Sequence, residues 1–148
     1  EQTLVLLKPD AIQRGLSGTI LARLERKGLR FAAIKLMQVT EELAYNHYHE
    51  HVDKPFFKNL VKFITSGPII ALIVEGENAV GVIRTTMGST NPQDANCGTI
   101  RGDFGMTIGM NLIHGSDSLE SASREIALFF KKAEMVSYSR AIDSWITE

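Results

Sequence analysis

Apolar residues fall along this chain in short blocks that alternate between two rhythms. Thr3 to Leu7 is a brief apolar run closed by Lys8-Pro9-Asp10, and it reads as a strand. Ser17-Gly18 opens a helix carrying Ile20, Leu21 and Leu24, with Gly28 placed to stop it. Leu29 to Val39 alternates loosely and predicts a second strand. Thr40 followed by Glu41 and Glu42 is an N-cap with acids in the first turn, opening a helix to about Glu50. Pro55 occupies a favoured first position for the next helix. One stripe there holds Phe57, Leu60, Val61 and Ile64, while Phe56 and Phe63 add a second apolar flank. A docked helix needs only one stripe, so the second implies deep burial or an apolar surface offered to something else.

Ile69 to Val74 is apolar at every position, the mark of a central strand. Asn78 to Met87 predicts a helix despite Gly81, and Gly88 to Thr99 is the longest irregular stretch, a length that in compact domains often carries function. Leu112 and Ile113 form a very short strand delivering His114 onto a glycine turn. A helix follows at once, capped by Asp117 or Ser118, with Glu120 in its first turn. Leu119, Ala122, Ile126, Phe129 and Phe130 share one face, and Glu125 lies at its edge, where a carboxylate loses hydration unless it has a partner. The tail from Met135 to Glu148 carries Tyr138, Ile142, Trp145 and Ile146, too much apolar surface to stand undocked.

The order is strand–helix–strand, an extra helical pair, then strand–helix–strand–helix. It predicts an α+β sandwich, ferredoxin-like βαββαβ with a four-stranded antiparallel sheet, the first and third strands central, plus a C-terminal tail. A doubly wound parallel fold would usually need more strands. No repeat, low-complexity tract or linker interrupts the chain, which predicts a single domain over residues 1–148.

Composition narrows the function. Sixteen Lys+Arg against 17 Asp+Glu leave the chain nearly neutral, which argues against a dedicated nucleic-acid or membrane-surface role. The longest apolar run is far too short to span a bilayer. A lone cysteine, Cys97, makes neither an internal disulfide nor a cysteine metal site and suits a reducing compartment, the cytoplasm. The chain begins at Glu1 without a methionine, which leaves open a removed leading segment.

The familiar nucleotide signatures are missing. Neither the P-loop nor G-x-G-x-x-G is present, so a nucleotide must be held by another device. Asp103-Phe104-Gly105 matches the D-F-G of protein kinases, but without the companion motifs it is a chance match. His114, Ser116 and Asp117 contain the residue types of a hydrolase triad without a nucleophile elbow. His47, His49 and His51 form H-x-H-x-H; positions 47 and 51 share a helix face and suit a metal, but with no acidic or cysteine partner spaced beside them they read as a solvated helix end. Lys8 ends the first strand, and Arg84 and Arg101 bracket the long loop. With Thr90 and His114 they make an anion site if the loop folds over the histidine.

These residues reach a known family. The chain resembles nucleoside diphosphate kinases nearly end to end, through Lys8-Pro9-Asp10, Gln13-Arg14-Gly15-Leu16, Lys54-Pro55-Phe56-Phe57, Ser66-Gly67-Pro68, Thr90-Asn91-Pro92, Gly98 to Phe104 and the octet Asn111 to Ser118. The octet pattern N-x-x-H-G-S-D-S is highly specific. The resemblance implies ping-pong transfer of the γ-phosphate from a nucleoside triphosphate, typically ATP, to a nucleoside diphosphate through a phosphohistidine on His114. Glu125 and Ser116 then belong to the histidine's immediate surroundings. Lys8, Tyr48, Arg84, Thr90 and Arg101 match phosphate-handling positions, and Asn111 with Lys8 the sugar contacts. Phe56 and Leu60, with Ile108 nearby, match the base sandwich, which implies broad base tolerance. The resemblance also implies magnesium bridged between phosphates rather than caged by side chains. It implies a homo-oligomer too, a hexamer with a tetramer as the alternative.

Four positions depart from the family's common residues: Met110 for arginine, Ala11 for glycine, Ser89 for an acid and Cys97 for proline. None bears an assigned role. The competing reading is a ferredoxin-like nucleotide- or nucleic-acid-binding module without catalysis. Near-neutral charge and the lack of an aromatic RNP-type motif count against it.

Overall fold

The computed structural model describes every residue from Glu1 to Glu148. Four strands form one antiparallel sheet: β1 (Gln2–Leu7), β2 (Arg30–Met37), β3 (Ile69–Glu75) and β4 (Ile113–Gly115), in the order β2-β3-β1-β4. The first and third strands are central, in keeping with the apolar runs Leu4 to Leu7 and Ile69 to Val74, because both of their faces are covered.

Side-chain alternation divides β1 between two cores. Leu4 and Leu6 join Ala71 and Ile73 on one face, while Val5 and Leu7 join Leu72 and Val74 on the other. The second face is roofed by α2 (Ser17–Arg26) through Ile20 and Leu24, and by α5 (Ala79–Met87) through Ala79, Ile83 and Met87. These are the two helices of the ferredoxin-like unit. The extra pair, α3 (Glu41–His47) and α4 (Phe57–Ile64), covers the opposite face together with α7 (Leu119–Phe129). No helix is long and apolar enough to cross a membrane.

Local chemistry fixes the ends. Thr40 caps α3 by accepting the Leu43 amide at 3.1 Å, and Ser118 caps α7 by accepting that of Ser121 at 3.0 Å. Gly28, at φ +104°, turns the chain out of α2 in a conformation that side chains disfavour. Gly115 allows α5 to lie directly on β4, since an added Cβ would stand 2.7 Å from Ile83 and 2.8 Å from the Met87 sulfur.

The structure departs from the sequence expectations at several elements. Two short helices, α1 (Pro9–Gln13) and α6 (Ile100–Phe104), follow β1 and the long loop. α3 stops at His47, and a 3₁₀ turn takes over from His49 to His51. α4 begins at Phe57, leaving Pro55 in the preceding turn. Leu119 is exposed, and Phe130 is buried beyond the end of α7. The tail docks first on its own chain: the Val136 amide donates to Ala32 at 2.8 Å and the Tyr138 hydroxyl to Phe31 at 2.9 Å. Arg140 then clasps the carbonyls of Gly28 and Leu29, while Ile142 and Trp145 remain exposed.

Candidate active site

β4 is only three residues long, and its register sets the chemistry. His114 pairs with Leu6, Ile113 with Leu7 and Gly115 with Val5. Directly opposed residues share a face, so Ile113 enters the α2/α5 core and His114 projects to the side of α3 and α7. There its Nε2 meets Glu125 Oε2 at 2.9 Å, and the buried Ser116 hydroxyl donates to that same oxygen at 2.6 Å. A carboxylate accepts only, so the ring proton resides on Nε2 and Nδ1 keeps its lone pair. Burial pushes the Glu125 carboxyl upward, but the hydrogen bond and charge of His114, with the Ser116 hydroxyl, outweigh it and leave the group below its ordinary value. Glu125 is therefore an anion near neutral pH.

The histidine lies in a cleft of about 570 Å³ that also holds Lys8, Tyr48, Phe56, Leu60, Arg84, Thr90, Arg101, Ile108, Asn111 and Glu125 among its lining residues. The structure thus brings the sequence-selected residues together, with Ser116 buried behind Glu125. One end is polar. Lys8 Nζ donates to Asn111 Oδ1 at 2.8 Å, and Asn111 Nδ2 donates to the Thr90 carbonyl at 2.9 Å, tying the loop after α5 to the approach of β4. Burial first, then the charge of Arg101, lowers Lys8 to about 8. Arg101 is itself buried and donates to the carbonyls of Gly88, Asn111 and Ile113, at 3.1, 3.2 and 2.6 Å. Burial, then Arg84, lowers it to about 10. Two cations disfavoured first by lost hydration and then by a neighbouring guanidinium are suited to an incoming polyanion. The other end is apolar: Phe56 is 49% exposed and Ile108 60% exposed, with Leu60 half-buried between α4 and the cleft. Phe56 and Phe63, the second apolar flank of α4, both line the cleft, and Ile108 reaches it from the segment between α6 and β4.

Tyr48 lines the cleft with a buried hydroxyl that lacks a partner, and burial followed by the charge of Glu125 raises its pKa, so the phenol stays neutral. His47, read from sequence as part of a solvated helix end, is instead buried beside His114, with ring centroids 4.7 Å apart. Its shared helix face with the buried Ala44 and Tyr48 is the signal that would have placed it. Burial and then the charge of His114 hold its pKa well below the ordinary histidine value. His47 and His51 do not pair as the H-x-H-x-H spacing suggested; His51 packs near Phe56 instead. Asp103 of the D-F-G match is spent on structure, pairing with Arg23 and accepting the Gly98 amide.

A ferredoxin-like sandwich with a histidine–carboxylate pair beneath cations at one end of a cleft, and an aromatic mouth at the other, defines a protein shaped to receive a charged group attached to a flat apolar one. The family model described as nucleoside diphosphate kinase matches residues 1–135. The chain is 58% identical over 146 residues to the nucleoside diphosphate kinase of Thermomicrobium roseum, covering 99% of this chain and 98% of that one. It is 54% identical over 148 residues to the enzyme of that name from Archaeoglobus fulgidus, covering 100% of this chain and 98% of that one. The halophilic nucleoside diphosphate kinase of Halobacterium salinarum, solved in complex with CDP, superposes with a TM-score of 0.98 at 53% identity, covering 100% of this chain and 99% of that one. The chain belongs to the nucleoside diphosphate kinase family.

Proposed function

We propose that this protein is a nucleoside diphosphate kinase working by two half-reactions through a phosphohistidine at His114. The observation that carries the reading is the 2.9 Å contact between His114 Nε2 and Glu125, which leaves the Nδ1 lone pair available in a cation-lined cleft. Nδ1 attacks the γ-phosphorus of a nucleoside triphosphate. The bond from phosphorus to the β–γ bridging oxygen breaks, and the diphosphate leaves with that electron pair. The ring gains positive charge, which ionised Glu125 stabilises while Ser116 holds the carboxylate still. A second diphosphate then attacks the phosphohistidine and restores the ring.

Lys8, Arg84 and Arg101 neutralise charge spreading over the transferring oxygens, where most of the catalysis of phosphoryl transfer arises. Thr90 and the neutral Tyr48 phenol supply hydroxyl contacts, and Asn111 with Lys8 meets the sugar. Phe56, Leu60 and Ile108 hold the base by its flat faces, which all bases share. That the Halobacterium salinarum relative was solved in complex with CDP supports nucleotide binding.

A magnesium ion, when bound between phosphates, would supply further neutralisation of the leaving and transferring oxygens. The donor set fits that arrangement. The metal-sized cluster of side chains here contains two imidazoles and a carboxylate rather than the oxygens magnesium requires. The ion would therefore be held by phosphates and water.

We read residues 1–148 as one catalytic domain working in the cytoplasm, which the free exposed Cys97 suits. Exposed Ile34 and Leu36 on the edge strand β2, with Ile142 and Trp145 on the tail, support further assembly. The family resemblance takes that assembly to a hexamer, with a tetramer as alternative. The reaction is tested by incubation with γ-labelled ATP. Acid-labile, base-stable phosphate should appear on the protein and leave on addition of any nucleoside diphosphate; an unlabelled protein would overturn the reading.

A further inference from the structure

His47 is 4% exposed, and neither of its ring nitrogens has a hydrogen-bond partner. A buried imidazole without a partner is a costly arrangement, and such groups call for an explanation. Its ring stands at 84° to that of His114. One donor atom from each of His47, His114 and Glu125 lies within 4.8 Å of the others. The three arrive from separate elements, α3, β4 and α7, so their meeting is a product of the fold rather than of local spacing.

Two imidazoles and one carboxylate form the donor set of zinc sites that keep a coordination position open. The set is poorly matched to magnesium, which demands oxygens, and well matched to borderline ions such as zinc. Zinc bonds of about 2.0–2.1 Å place tetrahedral donors about 3.3 Å apart. His114 Nε2 and Glu125 Oε2 stand at 2.9 Å, and a His47 ring nitrogen lies within 4.8 Å of a donor atom on each, so the three close on an ion by side-chain adjustment. Ser116, on the same carboxylate oxygen, supplies the outer hydrogen bond that fixes a ligating carboxylate.

We infer that His47, His114 and Glu125 form a binding site for a zinc-class transition-metal ion, and that the occupied site is the switched-off state of the protein. The site stands on geometry alone; the switch rests on His114 being the phosphoacceptor. Whichever ring nitrogen of His114 the ion takes, the nucleophile is lost. On Nδ1, the metal occupies the attacking lone pair. On Nε2, it moves the ring proton to Nδ1, which then has no lone pair to offer. Neither case requires a co-reactant.

The intact protein, freed of phosphate and metal, is titrated calorimetrically with zinc chloride and separately with magnesium chloride. One zinc per chain should bind, with no magnesium binding at the same concentrations. His47→Gln should weaken zinc at least tenfold, and His49→Gln, at an exposed position, should leave it unchanged. Ring-nitrogen NMR of the unsubstituted chain gives the answer independently of whether His47→Gln folds: zinc should move the His47 and His114 nitrogens and spare those of His49. Shifts confined to His49 and His51, or zinc affinity indifferent to His47→Gln, overturn the site. Phosphate labelling from γ-labelled ATP should fall with zinc occupancy and return with a chelator. Zinc bound at His47 and His114 without loss of labelling overturns the switch. A protein that never takes label overturns the phosphohistidine reading instead, while calorimetry still judges the site.

Discussion

Leu6 and His114 face each other across the β1–β4 ladder, and that pairing turns the imidazole toward Glu125 rather than into the α2/α5 core. Leu6 packs in the core beneath α3, α4 and α7, so His114 and Glu125 meet on that face at 2.9 Å.

The pair separates chemistry from binding. His114→Asn should abolish the phosphoenzyme while nucleotide affinity changes little. Glu125→Gln should keep some phosphoenzyme but slow its formation by about 10²–10⁴-fold, the usual range for a positioned acid–base partner. Quenched-flow labelling beside equilibrium binding measures both, and equal losses in rate and affinity would contradict the assignment.

Lys8 gives a pH signature. Its pKa is lowered to about 8 from 10.5, so the folded state disfavours the charged amine. Between those values the unfolded chain binds more protons, and the Lys8 contribution to stability therefore rises with pH across that window. A bound polyphosphate reverses the preference and raises the pKa. Nucleotide binding near pH 8.5 should take up a proton, seen as a binding enthalpy that varies with buffer ionisation enthalpy, and Lys8→Met should remove the effect.

At the cleft mouth, Phe56→Ala should weaken every nucleotide by about 1–3 kcal/mol, as expected for a lost base stack. Competition binding with purine and pyrimidine diphosphates measures the spread. A loss confined to one base would disprove stacking as the basis of tolerance.

Asp10 holds the approach to the histidine. Its Oδ2 accepts the amide of buried Leu112 at 3.0 Å, and Leu112 adopts φ 72°, a left-handed conformation rare for leucine. Asp10→Ala leaves that amide unpaired and should cost about 1–3 kcal/mol, read from urea denaturation. It should also raise the KM for nucleotides, because Asn111 and Lys8 lose their alignment.

For assembly, light scattering should report a hexamer. Deleting Asp143 to Glu148 removes the carboxylate that binds Arg140 and Arg30, together with exposed Trp145. That deletion, or Pro92→Ser in the loop before α6, should lower the melting temperature and shift mass toward dimers on dilution. A concentration-independent monomer for the intact chain would refute the assembly and leave the histidine chemistry untouched.

The elements with long periodic patterns were legible in the sequence. β3 and α5 follow from Ile69 to Val74 and from Asn78 to Met87, and the order of strands followed from their alternation with helices. α1 and α6 were not, because five-residue helices such as Pro9–Gln13 and Ile100–Phe104 are too short to show a period. Leu112 reads as strand by composition, yet its left-handed backbone places it before β4 and puts His114 within the strand rather than after it. His47 was hidden for another reason. A histidine near a helix end is polar in pattern, and the face it shares with Ala44 and Tyr48 was its one sequence sign of the packing against His114 and Phe129 that buries it.

The three carbonyls gathered by Arg101 bear on how the chain guards against its own errors. A strand as short as Ile113–Gly115 has little pairing energy with which to select its alignment, and a slip by one residue would turn the imidazole to the wrong side. The same slip would draw Ile113 out of the α2/α5 core. By gripping Gly88, Asn111 and Ile113 at once, Arg101 makes the misaligned form pay with a buried, unsatisfied guanidinium. One side chain thus adds a polar check on the register of β4 to the apolar one that Ile113 makes in the α2/α5 core.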